Sequence, residues 1–221
     1  MTDLINIKNR LLNLDSASIS DAMDSLNIFG ALYNIKAQVN NIKIVGPIFT
    51  VKYESFIRNN SKFYNAGNYI DSVPDGSIII IDNNAREDCT NWGDILTEVA
   101  ISKGIVGTII NGSVRDINFI RKKNYPLFSA AITMVSGKNR VKMVSTQTIL
   151  NINGVAVYPN DRVLADDNGV IVIPQTHVEE VIIRAENVER TENLIRKAII
   201  QGLSLQEARK KFNYSEPWAQ K

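Results

Sequence analysis

Four isoleucines in a row, Ile78–Ile81, stand between Ser77 and Asp82. A continuous apolar run of that length predicts a strand buried on both faces. Pro74-Asp75-Gly76 before it is a turn. After a polar loop, the stretch WGDILTEVAISKG (92–104) predicts a helix closed by Gly104. GTIIN (107–111) is the next strand, broken at Asn111-Gly112. A short helix over 116–123 and a strand over 126–132 follow. Residues 77–131 therefore read β-α-β-α-β, which calls for parallel strands joined by right-handed crossovers.

The flanks read differently. Residues 3–14 predict a short helix. Ser18 with Asp21 is a capping-box pattern that opens a helix to about Leu26. Residues 42–53 predict a strand with Gly46-Pro47 as a kink or edge feature, and 62–71 a helix. Residues 141–173 hold short β segments, with Asp167-Asn168-Gly169 as a hairpin turn between RVLA and VIVI. Thr176 with Glu179 opens a long helix to about Gln201, and Ser204 with Glu207 opens the last one. The tail from Asn213 is loose or packs on a neighbour. The expected organisation is one α/β domain over 1–221, with the helices of 176–212 at a subunit interface.

Composition narrows the class. With 221 residues, 44% hydrophobic and 22% charged, the chain reads as an ordinary globular protein with a sizeable core. Its net charge of +2 gives no global reason to bind nucleic acid or an anionic membrane. The Arg209-Lys210-Lys211 cluster reads as a solvated helix face. A single cysteine, Cys89, permits no internal disulfide and suits a reducing compartment. As a nucleophile it lacks a base nearby in sequence, since the only histidine is His177. The N-terminus carries charges within its first residues and has no signal-peptide pattern, and no stretch approaches a membrane span. The expected location is the cytoplasm. The Asn111-Gly112-Ser113 sequon means little without secretion.

In a parallel sheet the loops leaving the carboxyl ends of the strands share one edge, where ligands bind. The loop after 77–82 leads into the helix at Gly93, Asp94, Ile95 and Leu96. The loop after 107–111 carries Arg115 and Asp116. A helix N-terminus attracts an anion, an arginine fork matches a carboxylate, and an aspartate suits Mg²⁺ or Mn²⁺. Together they fit an α-keto acid. The plainer alternatives stay open on spacing alone. Arg115-Asp116 is also a common helix start, with the aspartate as N-cap, and Asp94 also suits a first helical turn. Trp92 reads as a packing residue and His177 as an exposed one.

The stretches GIVGTIINGSVRD (104–116) and PLFSA (126–130) resemble the signature of the ribonuclease-activity-regulator A family, which includes 4-hydroxy-4-methyl-2-oxoglutarate and 4-carboxy-4-hydroxy-2-oxoadipate aldolases. SASISDAMDSL, VGPIFTV, WGDILTEVA and GVAVYPNDRVLADDNGVIVIP extend the resemblance over most of the chain. It implies an α/β swivelling fold of the phosphohistidine-domain type with C-terminal helices, assembled as homotrimers or homohexamers with sites between subunits. It further implies that Gly93, Asp94, Ile95 and Leu96 bind pyruvate through backbone amides. Arg115 would contact the keto-acid end, Asp116 would bind the divalent metal, and Asp94 would hold a catalytic water. An acid from the neighbouring subunit completes the site, with Glu192 the first choice and Glu189 the second. Two positions depart from the family: Asn111 stands for its usual aspartate and Asn160 for its usual glycine.

The implied activity is a metal-dependent retro-aldol cleavage of a 4-hydroxy-2-oxo di- or tricarboxylic acid to pyruvate and a second keto acid, with oxaloacetate decarboxylation as a side activity. It needs no lysine Schiff base. The alternative is a non-catalytic regulator of the ribonuclease E inhibitor type; keeping both Asp94 and Asp116 favours the enzyme. A methyltransferase would need a glycine-rich nucleotide loop that the chain lacks.

Overall fold

The computed structural model describes residues 2–56 and 67–219. The expected helix at 62–71 lies partly outside them; its described end is a 3-10 turn, Asn68–Ser72. In chain order the elements are α1 (Thr2–Asn13), α2 (Ser16–Asp24), β1 (Lys36–Ala37), β2 (Ile44–Ser55), β3 (Ile78–Thr90), α3 (Asp94–Ser102), β4 (Gly107–Val114), α4 (Ile117–Lys122) and β5 (Leu127–Ile132). There follow β6 (Val141–Thr146), β7 (Leu150–Ile152), β8 (Val155–Val157), β9 (Arg162–Asp166), β10 (Gly169–Ile173), α5 (Val178–Ile200) and α6 (Leu205–Lys211). They form two compact units. One is made by the chain ends, Met1–Phe29 and Thr176–Lys221, and the other by Gly30–Gln175.

The Gly30–Gln175 unit is a mixed, nearly closed barrel-like sheet in the order β1-β5-β4-β3-β2-β9-β10, with β6 also on β2. The crossovers behave as the apolar runs require: β3, β4 and β5 are parallel neighbours joined by α3 and α4. Ile78–Ile81 are fully buried, as a strand covered on both faces must be. β2 changes partner at Pro47, running antiparallel to β9 up to that residue and parallel to β3 from Ile48. Asp166 to Gly169 closes the β9–β10 hairpin as expected. Residues 30–32 return to β10 through Leu32 N–H to Val170 O, 2.9 Å, while β1 pairs β5, so the two ends of the strand path approach closure.

Two expectations fail in the middle of the sheet. Asn111-Gly112 does not break β4; the strand runs on to Val114 with Gly112 at φ +153°, a bulge that glycine alone takes without strain. The polar loop after Asp82 is also strand: β3 continues to Thr90 through a bulge with Asn84 and Ala85 at positive φ. Polar residues look like a loop in sequence, but they extend these strands past the apolar core and carry them to the site.

Asn111 has a clear role. Its amide donates to Asp82 Oδ1 at 2.8 Å, and the Lys52 ammonium meets Asp82 Oδ2 at 2.5 Å, with Asp82 only 1% exposed. An aspartate at 111 would set two buried carboxylates against one ammonium. Asn111→Asp is therefore expected to lower stability at neutral pH by about 1–3 kcal/mol. Urea unfolding checks this, and an unchanged midpoint would show that the pair finds compensation. Asn160 sits at φ +69°, so it fills the left-handed turn position that glycine would otherwise take.

The other unit holds α1, α2, α5 and α6. Asp15, not Ser18, caps α2: it accepts the Ser18 N–H at 2.7 Å, and the helix starts at Ser16. Aspartate at that position satisfies a free helix N–H, so the helix begins before the SISD pattern. The Thr176–Glu179 box does not form either. A 3-10 turn over Gln175–His177 precedes α5, and the Thr176 hydroxyl is engaged with His177 Nδ1. The Ser204–Glu207 box is complete. Arg10 grips Glu186 with two bonds of 2.7 and 2.8 Å and also meets Glu179. The tail is not loose: its Pro217–Ala219 turn packs on α5. Among the described residues no helix is long and apolar enough to cross a membrane.

Candidate active site

Parallel pairing of β3 with β4 puts their carboxyl ends side by side, and this register assembles the site. β3 ends at Thr90, and α3 begins at Asp94 after only three intervening residues. β4 ends at Val114 and delivers Arg115 and Asp116 directly. The two loops are stitched by Arg115 N–H to Trp92 O at 3.2 Å. Trp92 is a packing residue, as expected: it is 2% exposed, stacks on Tyr125 at 6.2 Å and donates from Nε1 to Thr97 Oγ1 at 2.9 Å. Thr90 Oγ1 donates to Trp92 O (2.8 Å) and accepts from Trp92 N–H (3.1 Å). Both ends of the loop are thus fixed before any ligand binds.

The charged groups converge on one oxygen. Asp116 Oδ2 accepts the Asp94 N–H at 3.1 Å and lies 3.3 Å from Arg115 Nε. The Ile95 N–H is taken by Asp94 Oδ1 at 2.8 Å. The helix N-terminus thus binds carboxylate oxygens, as its dipole requires, and the oxygens it holds are the protein's own. Asp116 stands at the N-cap position of α4 in the left-handed region, φ +58°, and makes no side-chain cap. Its carboxylate is engaged across the loop instead, by the Asp94 N–H and Arg115. Arg115 and Asp116 side chains are each about one-third exposed, at 34% and 35%.

Gly93 makes this convergence possible. Its φ of −163° is open to any residue, so conformation is not the reason for glycine. Space is: a Cβ there would lie 2.4 Å from Asp116 Oδ2 and 3.2 Å from Arg115 Nε.

The loops wall a cavity of about 190 Å³ between Trp92, Leu96, Arg115 and the turn Ser136–Lys138. Gly93, Asp94, Ile95 and Leu96 all line it. On its other side Asp94 and Arg115 border a more open depression with Asp116, Ile132 and Met134. Met134 is 86% exposed and Ile95 74%, so apolar surface flanks the charged groups.

The remaining sequence candidates lie elsewhere. Glu189 and Glu192 are on α5, in the unit formed by the chain ends. Glu192 is engaged by Arg196 at 2.5 Å and borders a depression with Asp21 and Asp24. Cys89 is fully buried, and that burial pushes its thiol up, away from the reactive thiolate. Sequence reasoning passed over Asn91 and the Ser136–Lys138 turn. The turn reaches the cavity through a bridge between Thr90 and Ser136 and a bond from Thr90 N–H to Val135 O at 3.0 Å. No spacing along the chain announces a contact between residues so far apart. Asn91 gave no signal among the polar residues around it, and only its burial singles it out.

Among the described residues no group of three or more His, Cys, Asp or Glu side chains is placed to hold a metal ion. Mg²⁺, however, commonly takes one or two protein carboxylates and fills its shell with waters and substrate oxygens. Asp116 and Asp94, hard oxygen donors beside a solvent-open cavity, fit that donor chemistry.

Comparison with known proteins places these features in a group. Residues 16–172 match the RraA-like family model, described as Aldolase/RraA. The chain is 46% identical over 213 residues to the protein DlpA of Legionella pneumophila, a match that covers 96% of this chain and 35% of that protein, so the chain spans about a third of its length. It is 29% identical over 197 residues to a candidate 4-hydroxy-4-methyl-2-oxoglutarate aldolase of Halalkalibacterium halodurans, covering 88% of this chain and 89% of that one. The crystal structure of an uncharacterised protein from Pseudomonas syringae pv. tomato superposes with a TM-score of 0.85 at 43% identity, covering 92% of this chain and 96% of the other.

Proposed function

The chain belongs to the RraA-like Aldolase/RraA family, and on that premise we propose that it is a lyase. Its reaction would cleave a 4-hydroxy-2-oxo di- or tricarboxylic acid to pyruvate and a second keto acid. The observation that carries this reading is the convergence of Arg115, the Asp94 N–H and Asp116 Oδ2 beside the cavity, where Asp94 and Arg115 also border the open depression that holds Asp116. Two donors already holding a carboxylate oxygen form the seat that a keto acid's carboxylate needs. The substrate carboxylate would take the place of Asp116 Oδ2, with Arg115 offering its planar fork.

The bond change is a retro-aldol step. A base takes the proton of the C4 hydroxyl, the C3–C4 pair moves toward C2, and negative charge develops on the C2 oxygen. Protonation at C3 then releases pyruvate. Arg115 and the α3 N-terminus stabilise the developing charge. Asp94, whose Oδ1 is fixed by the Ile95 N–H, holds the water or takes the proton. A divalent cation, Mg²⁺ first and Mn²⁺ second, held by Asp116 with Asp94 beside it, would supply Lewis-acid polarisation of the keto oxygen. Oxaloacetate would give the same charge development on losing CO₂, so decarboxylation is the side activity this reading expects. The exposed Ile95 and Met134 beside the site support a homo-oligomer, trimer or hexamer, in which a neighbouring copy supplies the last acid, Glu192 or else Glu189.

Pyruvate release, coupled to lactate dehydrogenase, tests the reading. The substrates are 4-hydroxy-4-methyl-2-oxoglutarate, 4-carboxy-4-hydroxy-2-oxoadipate and oxaloacetate. Turnover with Mg²⁺ is expected to fall at least about 100-fold in EDTA and in Asp116→Ala. Turnover indifferent to both would sink the metal assignment, and no turnover of any substrate would leave the non-catalytic regulator standing.

A further inference from the structure

We infer that Asp116 caps its own site: its carboxylate fills the anion seat made by α3 and Arg115, and a keto acid binds only when that carboxylate swings away. This rests on the keto-acid lyase reading above and adds a means of regulation to the same site. Asp116 Oδ2 accepts the Asp94 N–H at 3.1 Å and lies 3.3 Å from Arg115 Nε. A helix N-terminus beside an arginine is the arrangement that holds an anion. The next amide, Ile95 N–H, is closed as well, by Asp94 Oδ1 at 2.8 Å. The seat is thus filled from within, by carboxylates, the same chemical group that the ligand would bring.

The surroundings favour this contact. A Cβ at Gly93 would stand 2.4 Å from Asp116 Oδ2, so the glycine leaves the space that the oxygen takes. Asp116 gives α4 no side-chain cap, so its carboxylate is not tied to the helix it precedes. The bond from Arg115 N–H to Trp92 O holds the two loops at a fixed spacing. The way out is open too. The Asp116 side chain is 35% exposed and borders the depression with Ile132 and Met134. Rotation of that side chain empties the seat without moving either loop.

A carboxylate on the chain is always at hand, whereas a substrate is dilute. Only the open fraction of molecules binds a keto acid, and the apparent affinity is lowered by that fraction. The same carboxylate is the one that would hold the divalent cation. A cation that draws Asp116 off the Asp94 N–H raises the open fraction. Cation and keto acid would then bind in order, cation first, and each would strengthen the other. A cap of this kind keeps the seat from filling with carboxylates that the site is not ready to turn over.

Calorimetric titration with pyruvate in EDTA tests the cap in wild type, Asp116→Ala and Asp116→Asn, with a thermal scan of each. Alanine removes the cap. It is expected to bind pyruvate about tenfold or more tighter than wild type, although it has lost the cation's ligand. Asparagine removes the charge but keeps an oxygen for the Asp94 N–H, so its affinity should fall between the two. Equal gains in both variants would mean that charge alone matters and would overturn the cap. An alanine variant that is folded and no tighter than wild type would overturn it as well. Failure of the lyase reading has a different mark: pyruvate would bind no form of the protein, wild type with Mg²⁺ included.

Discussion

Arg115→Ala is expected to lower kcat/KM for the hydroxy-keto acid by about 10²- to 10³-fold, as the loss of a charge-assisted donor to a developing oxyanion does. The residue has two jobs in the geometry. Its backbone N–H bonds Trp92 O and joins the two loops, and its guanidinium shares Asp116 Oδ2 with the Asp94 N–H. Alanine keeps the first and deletes the second, so the fold should survive. Arg115→Lys keeps the charge but not the planar fork and should recover only part of the loss. Steady-state kinetics with a thermal scan separates the cases: a normal kcat/KM in the alanine variant would reduce Arg115 to a surface ion pair.

Gly93→Ala is the second large effect, and it acts without removing any functional group. A Cβ 2.4 Å from Asp116 Oδ2 cannot coexist with that oxygen where it is, and Arg115 Nε at 3.2 Å is also pressed. The alanine must push the Asp116 carboxylate off the Asp94 N–H and crowd the Arg115 guanidinium beside it. Misplacement of about 1 Å at reacting groups costs roughly 10²-fold, so a loss of that size in kcat/KM is expected. The extended backbone at Gly93 suits alanine, so the thermal midpoint should move little. A full-activity variant would show that Asp116 and Arg115 do their work elsewhere; a grossly unfolded one would show that the crowding is structural.

Much of this arrangement was readable in the residues. The isoleucine run, the crossover helices and the strand-end positions of Arg115 and Asp116 all follow from patterns with local causes: burial on two faces, a helix stop at Gly104, a loop at the carboxyl edge. The failures have a common cause in tertiary structure overriding local preference. Asn111-Gly112 makes a good turn by itself, but Gly112 pairs with Arg86 and the strand runs through. Ser18 and Thr176 each sit in a good capping pattern, and each helix starts elsewhere, one on Asp15 and one after a 3-10 turn. The site was legible as a list of residues but not as an arrangement. That two of the expected carboxylate-binding amides are held by Asp94 and Asp116 themselves is a fact of distance.

The division of the chain also bears on how it is made. The sheet unit is one uninterrupted stretch, Gly30–Gln175, whereas the helical unit needs both chain ends. On the ribosome, α1 and α2 emerge ahead of the sheet unit, and α5, on which α2 packs, emerges after it. At 5–20 residues per second, roughly 10 s or more separates them. By the end of that interval the sheet unit has all of its own sequence and can fold. Leu11, Leu14, Ile19 and Met23, each no more than 1% exposed in the finished protein, have no α5 to meet. The nascent chain thus carries the uncovered apolar faces of α1 and α2 through the synthesis of the whole sheet unit.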